Sequence, residues 1–237
     1  MSVKGGININ VITRGLIYYM DAANPRCYPR TGTTFRDLID EEKGDLYNGV
    51  GFSTTSLGAF TFDGVNDYIS TQNTFSSYIN SSLPITFEVW AYLNLSSNDE
   101  TLLGSSWSLG GVNFRKNSSD KISFRLFTDG SNTVGLDSLV LSSSGWYQCV
   151  ATYNGNGLGS SSNFNLYVNN TSGGTSAGVG SPTSIPVTRD IYIGSNSQGG
   201  FQKFLNGEIS NVKIYNRELT ANEVQNNFEA LRGRFGI

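Results

Sequence analysis

The run Ile85-Thr86-Phe87-Glu88-Val89-Trp90-Ala91-Tyr92-Leu93 alternates without a break, and no other feature limits the fold of this chain so sharply. A period of two puts Ile85, Phe87, Val89, Ala91 and Leu93 on one face and Thr86, Glu88, Trp90 and Tyr92 on the other. One apolar face against one mixed face is the pattern of a strand whose sheet packs on a second sheet. The run 121–127 repeats it, with Ile122, Phe124 and Leu126 inward and Ser123, Arg125 and Phe127 outward. Shorter runs of the same kind predict strands at 16–20, 59–62, 147–153, 163–168, 191–194 and 209–215.

Turn chemistry separates these runs, as in Ser142-Ser143-Ser144-Gly145 and Ser172-Gly173-Gly174. Gly155-Asn156-Gly157-Leu158-Gly159 has neither a following helix pattern nor a P-loop Lys, so it reads as a hairpin connection and not a nucleotide loop. Charged residues make up only 15% of the chain, against about 25% in an average soluble domain. Many short strands with little charge indicate an all-β jelly-roll sandwich of two antiparallel sheets. No linker-like shift in composition divides the apolar patterns, so residues 15–237 read as one domain. Residues 1–14 read as an extension or edge strand, because Ile7, Ile9 and Val11 alternate there and can join this domain's sheet or a partner's.

One helix is expected at about 220–231. Thr220-Ala221-Asn222-Glu223 is a capping box, Val224, Phe228 and Leu231 follow at helical spacing, and Gly233 is a stop signal.

The absence of His removes the Ser-His-Asp and Cys-His nucleophile arrangements and every zinc site that needs imidazole. Two distant cysteines form neither a disulfide framework nor a metal cluster; Cys149 sits in an apolar run and reads as a buried thiol, whereas Cys27 has no role assignable from sequence. With 16 basic and 19 acidic residues and no basic stripe, nucleic acid is not an expected partner. Met1-Ser2-Val3-Lys4-Gly5-Gly6 leads into no apolar run, so no Sec-type signal peptide is expected, and no window is apolar enough to span a membrane.

Several segments in order resemble the laminin G-like jelly rolls of the concanavalin A-like lectin and glucanase fold. They are Phe60-Thr61-Phe62-Asp63-Gly64-Val65-Asn66-Asp67-Tyr68-Ile69, Phe87-Glu88-Val89-Trp90, Trp146-Tyr147-Gln148-Cys149-Val150-Ala151-Thr152-Tyr153, Ile191-Tyr192-Ile193-Gly194, and Leu205-Asn206-Gly207-Glu208-Ile209 through the closing helix. The opening Gly15-Leu16-Ile17-Tyr18-Tyr19-Met20-Asp21-Ala22-Ala23-Asn24-Pro25 and the ending Arg232-Gly233-Arg234-Phe235-Gly236-Ile237 are similar to laminin G-like proteins of tailed bacteriophages. That resemblance implies a virion protein that decorates a capsid or tail surface, with other virion proteins as partners and a homo-oligomer as one arrangement. The alternative it implies is a carbohydrate-binding module for host surface glycans. Neither reading includes an enzyme: the glucanase branch carries Glu-x-Asp-x-Glu on one strand, and no strand here does.

Two sets of site residues follow. The resemblance places a calcium ion near Asp63, Asn66 and Asp67, whose oxygens suit it; the competing reading gives the same residues to turn chemistry. Trp90, Tyr92 and Arg125 share the second face of their strands with Glu88, and with Trp107 in a Ser-rich stretch they are the candidate sugar contacts. Against this stands a structural role, with Trp90 packed under a loop and Glu88 paired with Arg125 across strands.

Overall fold

The computed structural model describes residues 10–105, 111–127, 133–176, 190–196 and 202–237. Ile7 and Ile9 of the predicted extension lie outside them. The chain opens with β1 (Leu16–Asp21), β2 (Thr34–Arg36), β3 (Lys43–Tyr47), β4 (Gly51–Ser53), β5 (Ala59–Asp63) and β6 (Tyr68–Ser70). Next come β7 (Ile85–Leu93), β8 (Glu100–Gly104), β9 (Gly111–Lys116), β10 (Lys121–Phe127), β11 (Thr133–Val140) and β12 (Gly145–Tyr153). Finally β13 (Phe164–Val168), β14 (Thr171–Ser172), β15 (Thr175–Ser176), β16 (Tyr192–Ile193) and β17 (Asn206–Tyr215) lead to the helix α1 (Ala221–Phe235).

These strands form two antiparallel sheets. The first runs β14-β13-β12-β7-β17-β5-β4, with β1 also pairing with β17, and the second runs β15-β11-β10-β9-β8-β16-β6-β3-β2. The long alternating strand β7 is central to the first sheet, with Val89 opposite Cys149 of β12 and Val212 of β17. Its five apolar residues are fully buried against the second sheet, as the alternation requires. Phe124 joins the layers: its ring lies 5.8 Å from Phe87 of the first sheet and 5.6 Å from Phe114 of its own. Burying each such side chain contributes about 1.5–3 kcal/mol. The turn Asp63-Gly64 carries the chain from the edge of one sheet to the other, since β5 and β6 belong to different layers.

The first sheet's outer face is covered by α1, whose capping box forms as the sequence predicts. The helix runs past Gly233 to Phe235 and stops at Gly236, which holds φ 73°. The expected end near 231 is therefore corrected: the interior glycine costs about 1 kcal/mol, and burial of Phe235 against Trp90 and Trp146 outweighs it. Arg234 fixes the same turn, its Nη1 donating to Asp21 Oδ1 at 2.9 Å and its Nη2 to the Gly58 carbonyl at 2.8 Å. The opening and closing segments thus meet at one ion pair. On the other side of the helix the Ile12 amide donates to Asn227 Oδ1 at 2.8 Å, so residues before β1 cross the same surface.

Strand β3 escaped the alternation reading because Gly44 occupies its inward position. A Cβ there would collide with the Phe35 ring, which fills the space from β2. Both cysteines are buried and free. Burial pushes the Cys27 thiol up to about 12, and its sulfur accepts the Asp21 amide at 3.4 Å, which gives this residue a packing role.

Candidate functional site

Of the outward residues of β7, Glu88 and Trp90 meet α1 and not solvent. Trp90 is fully buried, with Phe228 stacked at 5.8 Å and Phe235 at 4.3 Å, so it offers no ring face to a sugar. Glu88, equally buried, accepts from Lys213 Nζ at 2.9 Å, Gln148 Nε2 at 3.1 Å and Asn227 Nδ2 at 2.6 Å. Arg125 belongs to β10 in the second sheet, where its Nη2 donates to Asp137 at 2.8 Å. Trp90 and Arg125 therefore face opposite sides of the sandwich. The expectation that they share one face is corrected, and so is the Glu88–Arg125 pair. Equal alternation told which residues point outward but not which sheet each strand joins. Tyr92 stays half-buried, its ring edge-on to Trp146 at 5.9 Å and 75°. Trp107 lies outside the described residues.

The Asp63 turn is a hydrogen-bonded unit. Asp63 Oδ1 accepts the amides of Val65 at 2.8 Å and Asn66 at 3.2 Å, which hold its carboxyl below the ordinary range. Asp67 Oδ2 accepts the Asp63 amide at 3.1 Å, while its Oδ1 is buried without a partner, and burial raises its pKa. The Asn66 carbonyl accepts from Asn48 Nδ2 at 2.8 Å. Calcium takes six to eight oxygens. Among the described residues no three acidic or cysteine side chains converge to hold a metal ion, and turn chemistry accounts for these bonds.

The open face belongs to the second sheet. Period two turns Asp45 and Tyr47 of β3 outward, opposite Ser70 and Tyr68 of β6, while Tyr192 of β16 pairs with Ser70 from the other side. Tyr47 and Tyr68 stack at 4.7 Å and 10°, and Tyr192 meets Tyr68 edge-on at 5.9 Å. Tyr47 at the margin is 39% exposed. Burial, then the neighbouring Tyr47 and Tyr192, raise the pKa of Tyr68, so its hydroxyl stays protonated at neutral pH. Two same-face positions along β3 and β6 from Tyr47 and Tyr68, past Asp45 and Ser70, a pocket of 570 Å³ is lined by Glu42, Lys43, Gln72, Asn73, Thr74 and Asp190. Gln72 Nε2 donates to Asp45, and Asn73 Nδ2 to Glu42 Oε2 at 2.9 Å. Stacked rings next to amides and carboxylates supply the apolar faces and directional polar groups that orient a polyhydroxylated ligand.

Sequence reasoning missed these three tyrosines. The alternation Lys43-x-Asp45-x-Tyr47 was the available signal, but only the sheet order brings Tyr47, Tyr68 and Tyr192 together.

Residues 63–225 match a laminin G-type family model described as the concanavalin A-like lectin/glucanases superfamily. No curated protein sequence matches the chain. Among solved structures, a botulinum neurotoxin DC binding domain in complex with rat synaptotagmin II is similar at TM-score 0.67 and 15% identity, over 92% of this chain and 52% of that one. The botulinum neurotoxin type G receptor binding domain gives 0.61 and 15%, over 91% of this chain and 51% of that one. Trypanosoma rangeli sialidase in complex with sialic acid gives 0.58 and 16%, over 92% of this chain and 33% of that one. The chain therefore spans about half or a third of these structures, and at such identities they share its fold alone.

Proposed function

The chain belongs to the concanavalin A-like lectin/glucanase superfamily, and from that premise we propose that it is a non-enzymatic recognition module on a phage virion surface, binding host glycans through the tyrosine flank of its second sheet. The observation that carries this reading is the stack of Tyr47 on Tyr68 on the same sheet face as the polar Glu42–Asp190 pocket, which lies about 13 Å further along the strands. The ring faces pack against the C–H surface of one pyranose, and Glu42, Gln72 and Asn73 exchange hydrogen bonds with the hydroxyls of a sugar unit further along the strands. The sialidase and a neurotoxin binding domain add support, since the one is in complex with sialic acid and the other with rat synaptotagmin II. The virion setting rests on the resemblance of 15–25 and 232–237 to phage proteins. The non-enzymatic reading is supported by Glu88, the acid of the central strand, being sealed and bonded to Lys213.

A second reading keeps the virion and drops the sugar. Leu139 is 75% exposed and Val140 60%, beside a 300 Å³ pocket that Leu141, Tyr147 and Val168 help to line, which suits docking on a neighbouring protein.

A glycan array of the purified protein, run with calcium and with a chelator, separates the two. Saturable binding that Tyr47→Ala and Tyr68→Ala abolish supports the glycan reading. Silence in both buffers overturns it and leaves protein docking. Loss of binding under chelation alone would point to a metal-dependent site.

A further inference from the structure

We propose that the row Trp146, Tyr92, Glu208 and Thr61, on the outer face of the first sheet beyond the end of α1, is a second carbohydrate-contact site that takes an extended oligosaccharide laid across the strands. The proposal rests on the recognition reading above but uses different residues on the opposite side of the sandwich. Strand register makes the row continuous: Trp146 of β12 is opposite Tyr92 of β7, Tyr92 opposite Glu208 of β17, and Glu208 opposite Thr61 of β5. Neighbouring strands are about 4.8 Å apart, so four in line span about 14 Å. That is the length of a short oligosaccharide, not of one monosaccharide.

The helix defines the site by where it stops. Phe235 stacks on Trp90 at 4.3 Å and reaches Trp146 at 4.6 Å, so the row of Trp90 and Gln148 is fully buried while the next row is half-exposed along its whole length. Two aromatic rings and a carboxylate set at the helix end are not required to close the core. Trp146 leans on Phe235 and Tyr92 with its remaining surface toward solvent, which is the geometry of a stacking platform. Glu208 carries a buried Oε2 with no hydrogen-bond partner. That oxygen is out of a ligand's reach as it stands; a turn of the half-exposed Glu208 side chain brings the desolvated carboxyl to a donor such as a sugar hydroxyl, from which it gains. At the far end Gly51 lies opposite Thr61, and a Cβ there would collide with the Thr61 hydroxyl.

Oligosaccharides retained on the array are titrated by calorimetry against wild type, Glu208→Gln, Trp146→Phe and Tyr68→Ala. Glu208→Gln keeps the shape and removes the charge, so it stays folded, and thermal melting checks this. We expect at least one oligosaccharide whose affinity falls about tenfold in Glu208→Gln, the loss of one charge-assisted hydrogen bond, and which Tyr68→Ala leaves unchanged. If Tyr68→Ala abolishes every binding event while Glu208→Gln and Trp146→Phe change none, the second site is overturned and the first stands. If the wild type binds nothing, both are overturned.

Discussion

The two outer faces of this sandwich start from the same alternating pattern and end differently. Around Glu88 the first face is closed: Glu88, Lys213, Gln148, Asn227 and Trp90 are fully buried under α1. Around Tyr47 the second face stays open at its flank, and its Arg125–Asp137 pair remains 11% and 20% exposed. A strand's own sequence fixes which residues leave the core. Whether they then meet water depends on what packs over them, and here the cover comes from a helix more than a hundred residues later. The closed face has only its own groups to pair its polar atoms, and it leaves Trp90 Nε1, Gln148 Oε1 and Asn211 Nδ2 without a partner, whereas the open face can satisfy its polar atoms with water or a ligand.

The most direct way to break this contrast is Lys213→Ala. Lys213 Nζ donates to Glu88 Oε1 at 2.9 Å and to Asn211 Oδ1 at 3.0 Å, so truncating it leaves a carboxylate buried without its cation. Removing one member of a buried pair costs about 3–5 kcal/mol, and urea denaturation should show a loss of that size. The double variant Glu88→Gln with Lys213→Met should recover most of it, because an uncharged, well-packed pair has no ion to desolvate. A loss below about 1 kcal/mol for Lys213→Ala would mean that water reaches Glu88 and that α1 does not close the face.

The helix itself provides a second, smaller test. Glu223 is hydrogen-bonded by Arg217 at 2.7 Å through both nitrogens and completes the capping box, and these contacts lower its pKa to about 2. A carboxyl with a folded pKa below its unfolded value stabilises the fold above the unfolded pKa, and that stability is lost as the proton returns. The contribution is therefore complete above about pH 4.5 and disappears as pH falls toward about 2, amounting to roughly 2 kcal/mol. Glu223→Gln should flatten stability over that window, and Thr220→Ala should cost about 1 kcal/mol at neutral pH. An unchanged acid limb in Glu223→Gln would show that the cover is not held at its N-terminus.

The same contrast explains what could be read from the sequence. The inward residues of β7 and β10, the capping box and the hairpin after β12 were legible, because local periodicity and turn chemistry determine them. Trp90 was legible as outward and, in one of the two readings, as packed under a loop; that its cover is a helix was not. Asn227 was the missed clue: it falls at helical spacing between Val224 and Leu231, inside an apolar stripe, where a polar residue signals a buried partner. That partner is Glu88, whose oxygen lies 2.6 Å away. The tyrosine flank had no local signature, since its three rings come from strands 21 and 124 residues apart in numbering, 47 to 68 and 68 to 192. The opening and ending segments meet at Asp21 and Arg234, so their sequences are tied to how the domain closes.

The smallest expected effect is on the open side. Arg125 Nη2 donates to Asp137 at 2.8 Å and Nη1 to the carbonyls of Phe124 and Leu136, both at 3.0 Å. These three bonds outnumber the two of Lys213, yet Asp137 keeps contact with water, so solvent can hydrate what Arg125→Ala releases. The cost should be about 1 kcal/mol or less. Salt separates the faces further: at about 1 M the screening length is about 3 Å, so the penalty for Arg125→Ala should shrink while that for Lys213→Ala holds. Urea titrations of both variants at low and high salt give this comparison directly. If Arg125→Ala costs as much as Lys213→Ala and ignores salt, the second face is sealed as tightly as the first, and a binding flank would have to open before it could admit a sugar.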